Sequence, residues 1–112
     1  MKYIRTKDDE IIEIEDYDKE HGCYYFYDIG CIQIYEEDVV KTADTIEELC
    51  DYYVVFDDEG HCSITRDYSY FLEMYIELKR HNFLDEAYGI IKTSKGLIYV
   101  AKMNDKGELE LL

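Results

Sequence analysis

Two short stretches carry the ligand types of a zinc site, His21-Gly22-Cys23 and His61-Cys62. Zinc is held by imidazole and thiolate groups paired with two to four residues between them, and neither stretch has that separation. Asp57-Asp58-Glu59 offers three consecutive carboxylates to a cation, without the alternating spacing that wraps calcium. Covalent catalysis would need Cys23 or Cys62 activated by a histidine, and acid–base catalysis would need paired carboxylates. The chain has no nucleophile elbow and no glycine-rich phosphate loop. These residues read as turn residues, ordinary thiols and exposed acids. The expectation is a protein that is not an enzyme and takes no metal or cofactor.

A different chemistry is written into residues 35–59, where ten carboxylates face one base, Lys41. Duplex DNA carries one charge per ~1.7 Å of its axis, and a protein groove built to neutralise it would accept carboxylates held at comparable density. Glu36, Glu37, Asp38, Glu47, Glu48, Asp51, Asp57, Asp58 and Glu59 are the candidate partner-binding acids, with Glu13 and Glu15 as extensions. The alternative is a solvated face that keeps the chain soluble, which is what charge runs usually are. Thirteen tyrosines and no tryptophan add a second kind of contact residue. Tyrosine brings a large contact area at low entropic cost, and Tyr25, Tyr27 and Tyr35 are the candidates for it.

Length and charge set the frame for both. At 112 residues the chain is read as one domain, residues 1–112, large enough to bury a core without staples. Hydrophobic residues are 47% of it, so its high charge does not mean disorder. The net charge is −15, and it is polarised: residues 1–60 hold 19 acids and five bases, residues 61–112 eight and seven. Such a field repels nucleic acid and anionic membrane and accelerates encounter with a basic protein surface. No apolar run approaches the ~18 residues of a membrane span, and no signal-peptide core follows Met1-Lys2-Tyr3-Ile4-Arg5, so a cytoplasmic protein with reduced cysteines is expected.

The elements that must position these residues follow from periodicity. Residues 3–6 and 10–15 read as strands, with Ile12 and Ile14 alternating with Glu13 and Glu15. Residues 23–27 and 31–36 read as a hairpin closed by Asp28-Ile29-Gly30. If Tyr27 pairs with Cys31, then Tyr25, Tyr27, Gln33 and Tyr35 share one face and Tyr24, Phe26, Ile32 and Ile34 the other. Asp44 and Glu47 form a capping box for a short amphipathic helix to about Asp51, burying Ile46, Leu49 and Cys50. Residues 52–56 and 62–65 read as strands, and 67–81 as the main helix with Asn82 as its cap. A three-strand meander closes the chain over 87–93, 97–102 and 108–111. The expected class is α+β: antiparallel strands in the N-terminal half, one short and one longer helix, and a C-terminal meander.

The opening MKYIRTKD, the block ADTIEELCDYYVV (43–55) and the end GLIYVAKMNDKGELELL (96–112) resemble small accessory proteins of phages and prophages of Gram-positive bacteria. The resemblance supplies no active-site residue. It implies a mobile-element setting inside a bacterial host cell, similar to that of acidic anti-CRISPR-type inhibitors. There such proteins act against host nucleic-acid enzymes or CRISPR effectors. The expected function is therefore inhibition by binding, with a basic groove occupied as a DNA mimic would occupy it. The second expectation is a phage structural or assembly adaptor that uses the tyrosine-rich face.

Overall fold

β-branched and aromatic runs form strands through about half of residues 2–112, which the computed structural model describes. Among the described residues the fold is mostly β, 50% strand and 17% helical, with 11 strands in three sheets and one α-helix. This corrects the expected α+β class with two helices. The short helix expected after Asp44 is a single 3-10 turn, Glu47–Leu49, closed by Leu49 N–H donating to the Ile46 carbonyl at 3.0 Å. Its neighbours explain the difference. Val39–Ala43 and Tyr52–Asp57 are both strands, and the few residues between them cannot repay the cost of nucleating a helix. The apolar pattern that suggested the helix still buries Ile46 and Leu49.

The chain forms two compact units, Met1–Leu49 and Cys50–Leu112. In the first, β1 (Tyr3–Thr6) lies between β2 (Ile11–Glu13) and β6 (Val39–Ala43), all antiparallel. A second sheet has the order β3 (Asp16–Asp18), β4 (Cys23–Asp28), β5 (Gly30–Tyr35), also antiparallel. The β4–β5 register places Tyr27 opposite Cys31, as the loop chemistry predicts. Gly30 has φ +98, a left-handed conformation that glycine adopts without steric cost. Ile4, Ile14 and Tyr24 form the buried centre, with Ile12, Tyr17, Ile34 and Val39 against it. Each fully buried isoleucine there contributes about 1.5–3 kcal/mol relative to exposure.

In the second unit, β11 (Leu109–Leu111), β10 (Gly96–Met103), β9 (Leu84–Thr93), β7 (Tyr52–Asp57) and β8 (Cys62–Thr65) form one antiparallel sheet in that order. The helix α1 (Tyr68–Arg80) packs on the face carrying Tyr53, whose ring lies 5.2 Å from that of Phe71. Asp67 caps it by accepting from Ser69 and Tyr70 N–H. Its end is a Schellman motif: Asn82 is left-handed at φ 59, Phe83 N–H reaches the Leu78 carbonyl and Asn82 N–H that of Lys79. Gly89 sits on the same sheet face, paired with Tyr53 and Ala101. A Cβ there would stand 2.7 Å from Cys50 Sγ, so the thiol occupies space that only glycine leaves.

Candidate functional site

The tyrosine face of the β3–β4–β5 sheet is built by register. Tyr25, Tyr27, Gln33 and Tyr35 share it, together with Cys23 and Cys31. The edge strand β3 adds Asp16 opposite Tyr25 and Asp18 opposite Cys23. A concave surface of about 530 Å³ follows, lined by Asp16, Asp18, Lys19, Glu20, Tyr25 and Tyr27 among others, with three acids to one base. Carboxylates beside phenol rings suit a cationic group, which gains from both the charge and the ring face. Tyr27 and Tyr35 are exposed, at 56% and 49%, while Tyr25 is half-buried.

Local hydrogen bonds define how these groups ionise. The Cys23 thiol donates to the Tyr25 hydroxyl at 3.0 Å, and that contact, with burial, pushes the Tyr25 phenol up to about 12. The nearby Cys31 raises Tyr27. Asp18 takes the His21 imidazole at 2.6 Å, and this contact and the His21 and Glu20 N–H groups hold its carboxyl below the usual range.

The candidate acids fall into two groups by position and by use. Glu36, Glu37, Asp38, Glu47 and Glu48 belong to the first unit, and Asp51, Asp57, Asp58 and Glu59 to the second. Glu36–Asp38 is an exposed 3-10 turn directly after β5. Glu36 accepts from the Tyr17 hydroxyl, which pushes that phenol up to about 12. Glu48 accepts from the Thr45 hydroxyl at 2.9 Å, while Glu47 is half-buried. Asp51 accepts from Lys92 N–H at 2.7 Å and thereby ties the start of β7 to β9. Asp57 accepts from Glu59 and His61 N–H, both at 2.9 Å. Burial raises its pKa, but those bonds and the His61 imidazole outweigh it, and the net shift is downward. Asp58 and Glu59 are exposed at the tip of that turn. Glu36, Glu48, Asp51 and Asp57 thus have local structural bonds, and Glu37, Asp38, Asp58 and Glu59 are exposed.

The second unit has two further concavities. One of about 460 Å³ lies between α1 and β7–β8, with Val55, Met74 and Leu78 as apolar wall and Asp57, Glu73 and Glu77 as acids. The other, about 610 Å³, joins Tyr75 and Ile76 to Lys79, Arg80 and Lys106. Among the described residues no group of three or more His, Cys, Asp and Glu is placed to hold a metal. No described helix is long and apolar enough to cross a membrane.

Sequence reasoning missed Asp16 and Asp18, since residues 16–18 were not expected to be a strand. The only signal there is the alternation Asp-Tyr-Asp, which places Tyr17 on the core side, 4.6 Å from the Tyr24 ring. Glu73 and Glu77, which line the cavity beside α1, were not among the candidate residues either. No family model, curated protein or solved structure matches the chain.

Proposed function

We propose that the protein acts by binding, as an acidic phage-type inhibitor that occupies a basic groove on a host nucleic-acid-binding protein or defence nuclease. The observation that carries this reading is the tyrosine–carboxylate face of β3–β4–β5, in a unit whose residues 1–49 contain 15 acids and five bases. Exposed phenol rings supply contact area, and Asp16, Glu37 and Asp38 supply charge to meet lysines and arginines of the groove. The mechanism is competitive exclusion: nucleic acid and inhibitor contend for the same cations, and no bond is made or broken. The resemblance of the terminal and central blocks to phage accessory proteins names CRISPR effectors among the targets.

Affinity capture from a Gram-positive host lysate, followed by mass spectrometry, tests it. At ~0.5 M salt the Debye length falls to about 4 Å, so the complex should dissociate, and a DNA competitor should displace the inhibitor. A complex indifferent to both salt and DNA would refute the reading.

A structural or assembly adaptor is the second reading, favoured by the solvent exposure of Tyr27, Tyr35 and, at 97%, Ile29. It expects a stable homo-oligomer by light scattering or the protein's presence in purified virions. A monomer absent from virions counts against it.

A further inference from the structure

A sheet edge presents unpaired N–H and C=O groups, and proteins protect such edges with short strands, charge, proline or bulges. Five of the six edges here are protected in that way. β2, β3 and β11 have three residues each, β3 with two aspartates, and β8 has four. β6 carries Lys41, and its register with β1 shifts between Arg5 and Thr6. β5 is the exception: six residues, Gly-Cys-Ile-Gln-Ile-Tyr, with no charge, no proline and an unbroken register against β4. Among the described residues its backbone pairs with β4 alone.

We propose that β5 is a docking edge that accepts one extended strand from a partner segment whose flanks are basic. The proposal rests on the basic-partner reading above and gives it a binding mode. Main-chain hydrogen bonds supply affinity in strand addition, and alternating side-chain contacts supply selectivity. Here the added strand would lie beside Cys31, Gln33 and Tyr35 on one face and Ile32 and Ile34 on the other. Charge chooses the occupant. Asp28 lies at one end of the edge and Glu36, Glu37 and Asp38 at the other. A second copy paired antiparallel would set Asp28 against those three acids, in a chain of net charge −15. Lysines or arginines on either side of an uncharged, alternating segment meet them with the opposite sign.

The probe is a synthetic peptide of alternating valine and threonine, as long as β5 and ended by lysines, titrated into the whole chain and followed by amide NMR. Saturable shifts should map to residues 30–35. Methylating alternate backbone nitrogens along the pairing edge removes about three hydrogen bonds, each worth roughly fivefold, so affinity should fall about a hundredfold. Gln33→Lys should weaken binding at least about tenfold. Val40→Lys, the same charge change on exposed β6, should leave it within about threefold. Equal binding by the methylated peptide would overturn strand addition and leave the charge-driven reading standing. Equal binding by a glutamate-ended peptide would overturn the basic-partner reading instead. A dimer that Gln33→Lys dissolves in sedimentation would overturn the proposal in favour of a second copy.

Discussion

Asp51 was a candidate contact acid, yet its carboxylate accepts Lys92 N–H at 2.7 Å, and its own N–H donates to the Ile90 carbonyl at 2.9 Å. The two bonds hold the first residue before β7 against β9, next to the buried Ile90. Replacing Asp51 by Ala removes the side-chain bond and leaves the backbone one. A hydrogen bond to a charged group contributes about 1.5–3 kcal/mol when sheltered, and Asp51 is half-buried, so about 1–2 kcal/mol is expected. With an m-value of about 1.5 kcal/mol/M in urea, the unfolding midpoint should fall by about 1 M. Asp58, exposed at the tip of the β7–β8 turn, is the control, since surface substitutions usually change stability by less than about 0.5 kcal/mol. Circular dichroism in urea measures both. If Asp51→Ala shifts the midpoint by less than about 0.2 M, or Asp58→Ala shifts it as much, the division of the acids into structural and solvent-facing groups is wrong.

Other outcomes follow from the same geometry. Gly89→Ala should cost about 1–3 kcal/mol because the new Cβ meets Cys50 Sγ; adding Cys50→Ala should recover part of the loss, and additive costs would refute the steric cause. Asp67→Ala should lower stability by about 1 kcal/mol by uncapping α1, while Asp67→Ser should retain most of it, measured by thermal unfolding. Tyr17 has its folded pKa raised above the ordinary 10 to about 12 by Glu36, so its contribution to stability is complete below pH 10 and fades as pH rises toward 12. Absorbance at 295 nm should show a late-ionising class of tyrosines that shrinks in Tyr17→Phe. Glu37→Gln with Asp38→Asn should weaken a basic partner's binding without moving the urea midpoint; unchanged affinity would remove that turn from the interface.

Strand positions were legible where local chemistry alone decides them. Asp28-Ile29-Gly30 sets the β4–β5 register, because glycine accepts the positive φ that the turn requires and the side-chain period of two then assigns every face. The C-terminal cap of α1 was legible for the same reason, since Asn82 acts on its own turn, whereas Asp67, read as the first helical residue, is the N-cap. The helix expected over 44–51 was not, because its capping box and apolar spacing are local preferences that the two flanking strands override. β3 and β6 were missed since Asp16–Asp18 becomes a strand only by pairing with β4 across the turn at residues 19–22, and Val39–Ala43 only by pairing with β1, far back along the chain. Those pairings carry no local signature.

The same distinction governs the acids. A run such as Asp57-Asp58-Glu59 looks uniform in sequence, but a turn needs acceptors for its own N–H groups, and Asp57 supplies one to both Glu59 and His61. Only its neighbours are left to face a partner. Glu36 is likewise drawn to Tyr17 while Glu37 and Asp38 remain exposed on one 3-10 turn. Charge density read along the chain therefore overstates the field available for binding, and the deficit is made up by acids that looked incidental. Asp16, set opposite Tyr25 by a strand with no local signature, joins the tyrosine face that the hairpin register had already defined. On the proposed reading, the binding surface of the first unit joins Asp16, beside Tyr25, and the exposed Glu37 and Asp38, which follow β5, to the uncharged edge of that strand. Such a surface discriminates by shape as well as by charge, because an edge strand accepts only an extended backbone, whereas a field of carboxylates alone attracts any cation.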